Sequence, residues 1–178
     1  GKSLVECTPI DLYRDPIGLS RISRATGVNI IMGTSYYVGH SHPDDMNART
    51  EDSIVDEFVR DLNEEVYVSK WDFKASTPNL VPVRTGLKAG IIGEVGCSWP
   101  LSDNERKVLR AAGRAQRITG APLLIHPGRD ENAPLEILGI LNSIGADLEH
   151  VIMGHLDRTV FQKRILEEIA GSGCYIEW

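Results

Sequence analysis

The chain has 178 residues, a formal net charge of −6 and a 42% hydrophobic composition, which fits one folded domain with a real core. Acidic and basic residues are mixed throughout, so the sequence shows no basic stripe for nucleic acid and no polybasic or amphipathic segment for a membrane surface. No apolar run approaches the roughly 20 residues of a membrane-spanning helix, and Gly1-Lys2-Ser3-Leu4-Val5 has no signal-peptide layout.

In chain order, the first apolar run is Ser3–Cys7, read as a strand, and the second is Val28–Gly33, entered through a helix end at Arg24-Ala25-Thr26-Gly27. A helix near Ser53–Glu64 carries the stripe Ile54, Val55, Phe58, Val59 and Leu62. Val66–Lys88, with Pro78 and Pro82, reads as a long loop or insertion with a poorly defined strand. Ala89–Glu94 is the third strand. Asp103–Thr119 follows as a helix, with Ser102 and Glu105 as a capping box and Gly120 at its end. Pro122–His126 is a strand, Pro134–Ile144 a helix closed by Gly145, and His150–His155 a strand. Thr159–Ala170 is a helix closed by Gly171, and Gly173–Trp178 is the last strand.

These strand runs are nearly continuously apolar, as in a parallel sheet covered on both faces. Successive βα units produce either a doubly wound sheet or a (β/α)8 barrel. No GxGxxG follows the early strands, which disfavours a dinucleotide-binding sheet. A complete barrel needs about 250 residues. The expected fold is therefore α/β, a single partial domain over 1–178: an incomplete TIM (β/α)8 barrel of about strands two to seven, without strand one and strand eight.

Cys7, Cys97 and Cys174 are widely spaced, odd in number and without a CxxC pair. They argue against a disulfide framework and a zinc ribbon, and for reduced thiols in the cytoplasm.

Glu94, His126 and His155 each close an apolar run: Ile91-Ile92-Gly93-Glu94, Leu123-Leu124-Ile125-His126 and Val151-Ile152-Met153-Gly154-His155. They stand 32 and 29 positions apart, one βα unit each. The strand ends of parallel α/β folds carry active sites, and a carboxylate with two imidazoles suits a divalent metal that activates water. A lone histidine at a strand end more often anchors a loop, so a nonmetal α/β binding domain with structural histidines is the competing reading.

Gly90-Ile91-Ile92-Gly93-Glu94-Val95-Gly96, Ile125-His126-Pro127-Gly128-Arg129 and Gly154-His155-Leu156-Asp157-Arg158-Thr159, in this order and spacing, resemble the phosphotriesterase-related branch of the phosphotriesterase family, within the amidohydrolase superfamily. The resemblance implies a (β/α)8 barrel with two divalent metals at its C-terminal face, most often Zn2+, with Mn2+ an option. It makes Glu94 the bridging carboxylate of the fourth barrel strand, and His126 and His155 the ligands of the fifth and sixth. The implied activity is a hydrolase using metal-activated hydroxide on an ester, lactone, amide or phosphoester bond of a small molecule, a carboxylic bond being favoured. The family's strand-one His-x-His motif and strand-eight catalytic Asp lie outside this chain. At most one metal is then well held, and a catalytically silent one-metal fragment is the alternative.

His40-Ser41-His42 imitates the His-x-His motif but follows Gly33-Thr34-Ser35-Tyr36-Tyr37, in the loop after the second apolar strand, and reads as a loop rather than a ligand pair. Tyr36, Tyr37, Trp99 and Arg129 follow strand ends and are candidate substrate contacts, as is Arg158, whose other option is an ion pair with Asp157. His150 sits at the opposite edge with no chemical role. Glu177 is a candidate supporting group.

Overall fold

The structure is a computed structural model that describes residues 1–72 and 79–178, those at 69–72 and 79–81 by backbone alone. Six parallel strands form one sheet: β1 (Ser3–Glu6), β2 (Asn29–Thr34), β5 (Ile91–Gly96), β6 (Leu123–His126), β7 (Val151–Met153) and β8 (Tyr175–Ile176). Their spatial order is their chain order. A doubly wound sheet reverses its strand order at a switch point, and this sheet does not. It winds one way only, as a sector of a (β/α) barrel.

The helices lie on one side of that sheet. They are α1 (Pro16–Thr26), α2 (Glu51–Asn63), α3 (Asp103–Thr119), α4 (Ala133–Ser143) and α5 (Lys163–Gly171). Helix α2 packs on α3, α3 on α4 and α4 on α5. Caps set their ends. Asp15 accepts from the Gly18 N–H at 2.9 Å, and Thr50 from the Ser53 N–H at 3.1 Å. The Ser102–Glu105 capping box forms, and Gly120 ends α3 with a left-handed φ of 72°. Helix α3 occupies the span its sequence predicts; α2 and α4 are displaced by one or two residues. Helix α5 begins at Lys163 rather than Thr159, because the chain first makes a separate 3-10 turn over Leu156–Arg158.

Strand residues facing the helices are fully buried. Leu123, Ile125, Val151 and Met153 pack with Val108, Leu109, Ala112, Ile137, Leu141, Ile165 and Ile169. The alternate residues Leu124, His126 and Ile152 face the concave side and are only half-buried. Where one interior needs both faces of every strand, the outer strands of an open sector are left bare. Leu4 is 53% exposed on β1, and Tyr175 is 66% exposed on β8.

The Val66–Lys88 region is more regular than its prolines suggest. It holds an antiparallel hairpin of β3 (Tyr67–Asp72) and β4 (Asn79–Arg84), in register from Tyr67↔Arg84 to Asp72↔Asn79. Pro82 is compatible with a two-stranded hairpin, where each strand is an edge and alternate N–H groups point away from the ladder. Pro78 lies outside the described residues. Among the described residues, no helix is long and apolar enough to cross a membrane.

Candidate metal centre

Glu94 owes its direction to a register shift. Along β5, Ile92 pairs with Leu123 and Val95 with Ile125, three steps against two on β6. One extra residue at Gly93–Glu94 changes the parity of the strand. Ile92 and Val95 both face the helices at 0% exposure, and Glu94 turns to the concave side, where β6 presents His126. Gly93 allows the shift: a Cβ there would lie 2.8 Å from Leu124 Cβ and 3.0 Å from the Leu124 carbonyl oxygen. The Glu94 backbone is tied to its neighbours. Its N–H donates to the Cys7 carbonyl at 3.0 Å, and its carbonyl accepts from Ser35 Oγ at 2.5 Å. Glu94 thus stands inside β5, two residues short of the strand end that its apolar run suggests.

His126 is the last residue of β6 and lies beside Gly96. His155 lies two residues beyond β7, in a left-handed conformation with φ 58° and ψ 34°. A non-glycine residue holds that conformation only where its surroundings fix it. Here Gly154 N–H is held by the Ile125 carbonyl at 3.0 Å, and Leu156 N–H by the Glu177 carbonyl at 3.1 Å. Glu177 contributes through its backbone.

The three side chains converge, with one ligand atom from each lying within 4.8 Å of the others. Glu94 Oε1 is 2.7 Å from His155 Nε2, and Oε2 is 3.2 Å from His126 Nδ1. Burial opposes the charge on Glu94, but the hydrogen bonds and charges of His126 and His155 outweigh it and hold the carboxyl below its usual range. Burial, then Glu94, raises the Tyr37 hydroxyl, and Arg158 and Arg129 oppose the rise. Burial with the nearby carboxylates of Glu94, Glu6 and Glu177 pushes the Cys7 thiol up to about 12. One carboxylate and two imidazoles, with no thiolate among them, match a borderline divalent ion such as zinc or manganese.

Tyr37 reaches this cluster, with its hydroxyl 3.0 Å from His126 Nε2. Tyr36 does not. Successive residues of an extended chain point to opposite sides, and Tyr36 is buried toward α2. It packs on Phe58, donates its hydroxyl to Glu57 at 2.7 Å and accepts from Arg49. Arg158 makes no ion pair with Asp157 among the described residues; it donates to His126 Nε2 at 2.8 Å. Trp99 and Arg129 line a cavity of about 700 Å³ together with His126, His40 and Gly128. His40 and His42 lie in and after a 3-10 turn, Gly39–Ser41, and neither joins the cluster; His42 Nε2 bonds the Tyr37 carbonyl at 2.7 Å. His150 pairs with Asp147 at 2.7 Å, away from the site.

Two supporting carboxylates are not evident from the sequence. Asp11 accepts the Tyr37 N–H at 3.0 Å and Ser41 Oγ at 2.9 Å. Glu105, visible in the sequence only as half of a capping box, also accepts from Gly39 N–H at 2.7 Å and Ser98 Oγ at 2.6 Å. It therefore clasps the loops after β2 and β5 to the start of α3.

The family model of the phosphotriesterase family matches residues 1–178. The chain belongs to the phosphotriesterase family. It is 42% identical over 178 residues to a phosphotriesterase-related protein of Nematostella vectensis, covering 100% of this chain and 46% of that protein. It is 40% identical over the same length to the N-acetyltaurine hydrolase of Homo sapiens, again covering 46% of the relative. In structure it resembles the phosphotriesterase homology protein of Escherichia coli, complexed with phosphate in its active site. That match has a TM-score of 0.82 and 26% identity, over 98% of this chain and 55% of the other. The chain spans about half the length of the curated relatives it matches, and its sheet is the corresponding sector of a phosphotriesterase-like barrel.

Proposed function

We propose that this chain supplies one side of the active site of a divalent-metal hydrolase that cleaves a carboxylic amide or ester in a small molecule. The observation that carries this reading is the convergence of Glu94, His126 and His155 on the concave side of successive parallel strands. A relative 40% identical to the chain is named for hydrolysis of an N-acetyl amide, which favours an amide over a phosphoester here. The three free cysteines, two of them buried, support a reducing compartment such as the cytoplasm.

The chain's residues divide the work. Glu94 offers one oxygen toward each histidine, and His126 and His155 complete the donor set. A divalent ion held by them supplies Lewis acidity and lowers the pKa of water toward neutrality. Tyr37 keeps its proton at neutral pH and offers a hydroxyl beside His126. The cavity beside His126 admits a small molecule and gives it an aromatic wall in Trp99. The His-x-His pair and the Asp that the family uses elsewhere in the barrel are not in this stretch, so the 178-residue chain alone takes up metal without sustained turnover.

Zinc titration followed by an assay for taurine release from N-acetyltaurine tests the reading. The chain should take up about one equivalent, and the protein extended to its relatives' length should release taurine. Metal uptake unchanged by Glu94→Ala, or an extended protein that hydrolyses no carboxylic amide or ester, would refute it.

A further inference from the structure

We propose that Arg129 and Arg158 form a paired guanidinium site for the anionic group, a sulfonate or carboxylate, of a small organic substrate. The word substrate rests on the hydrolase reading above; the anion site itself does not.

Both arginines lie on loops that follow ligand-bearing strands, Arg129 three residues after His126 and Arg158 three after His155. Arg158 reaches the centre directly, donating to His126 Nε2 at 2.8 Å, while its own Nε is buried without a partner. Arg129 lines the cavity that opens beside the same imidazole. The Tyr37 hydroxyl meets the same imidazole, 3.0 Å from His126 Nε2.

Their charges are not neutralised from within. Neither forms an ion pair among the described residues, whereas Arg14, Arg49, Arg60, Arg106 and Arg114 all do. In a chain of net charge −6, carboxylates are plentiful, so two guanidinia without a carboxylate partner, one lining the cavity and the other bonded to the imidazole in its wall, are a specific arrangement. The carboxylate in the cavity wall, Glu105, is occupied by the N–H groups of Gly39 and Ser102 and the hydroxyl of Ser98. A guanidinium is a planar fork of donors that never accepts, and its best partner is an oxyanion. The site therefore selects molecules with an acid group a short spacer away from the bond to be cleaved.

Titration of the chain, zinc-free and zinc-loaded, with propane-1-sulfonate, propionate, inorganic phosphate and neutral N-ethylacetamide tests this, with ligand NMR or calorimetry as the readout. Both organic anions should bind more tightly than the neutral amide. Arg129→Gln and Arg158→Gln should each weaken anion binding about tenfold or more, and Arg117→Gln, at the far end of α3, should leave it unchanged. Arg129 is exposed, so its variant remains informative even if Arg158→Gln disturbs folding. Anion binding indifferent to both substitutions would overturn the proposal, and so would inorganic phosphate binding more tightly than either organic anion. Arginine-dependent anion binding by the chain, with no cleavage of a carboxylic amide or ester by the protein extended to its relatives' length, would refute the hydrolase reading alone.

Discussion

Glu94 Oε1 lies 2.7 Å from His155 Nε2, although the residues are 61 positions apart and their strands are separated by β6. The contact exists because an extra residue in β5 turns Glu94 inward and a left-handed turn after β7 turns His155 back toward it.

Gly93→Ala places a Cβ 2.8 Å from Leu124 Cβ, so β5 must move away from β6 or lose its register shift. The cost should be about 2–3 kcal/mol in urea unfolding, as for an overpacked core position. Zinc affinity should fall with it, because Glu94 loses its direction. Unchanged stability and affinity would show that the shift does not position Glu94.

Glu105 should matter beyond helix capping. Replacing it by Ala leaves donors from Gly39, Ser98 and Ser102 without their acceptor, at about 2–4 kcal/mol for a buried charged partner. Burial opposes its charge, but hydrogen bonds from Ser98, Ser102 and Gly39 hold its carboxyl below the ordinary 4.5. A depressed native pKa contributes stability that is fully present above the unfolded value and is lost as pH falls through the native one. Between pH 7 and 5 the Glu105→Gln deficit should therefore stay constant, and it should shrink below about pH 4.5. A deficit that grows on acidification would contradict this.

Cys7 should be a poor nucleophile despite its place beside the cluster. Its thiol is pushed up to about 12, from an ordinary 9.0, by burial and by the carboxylates of Glu94, Glu6 and Glu177. Alkylation by iodoacetamide, read by mass spectrometry, should stay slow at pH 9 and accelerate only above it. Rapid labelling of Cys7 at pH 8 would contradict the charge arrangement.

The open sheet sector predicts self-association. Leu4 and Val5 on β1 are 53% and 49% exposed, and Tyr175 and Trp178 at the other edge are 66% and 68% exposed. Unpaired edges flanked by apolar side chains seek partners. Size-exclusion chromatography with light scattering should show oligomers or losses at micromolar concentration, and a well-behaved monomer would count against an open sector.

Most of this site was legible in the sequence because period and punctuation carried it. Apolar runs ending in Glu94 and His126, and one closing near His155, marked the strands, and Ser102, Glu105 and Gly120 bounded α3 to the residue. What escaped depends on distance rather than pattern. A one-residue register shift leaves no trace in an apolar string, so Glu94 reads as a strand end when it lies within β5. The opposite directions of Tyr36 and Tyr37 follow from strand alternation, but the choice of which one faces His126 is made by packing on Phe58 and by the Arg49–Glu57 pair. The partners of Asp11 and Glu105 lie on other loops, beyond the reach of local spacing.

Glu94, His126 and His155 are proposed to hold one metal together. Zinc titration of the wild-type chain beside Glu94→Ala, His126→Ala, His155→Ala and the His40→Ala/His42→Ala double variant measures it most directly. About one equivalent is expected for the wild type and the double variant, and affinity weakened by at least about 100-fold in each single variant, beyond the 10–100-fold effect of outer-shell substitutions. Loss of the equivalent in the double variant, or its retention when Glu94 is replaced, would contradict it.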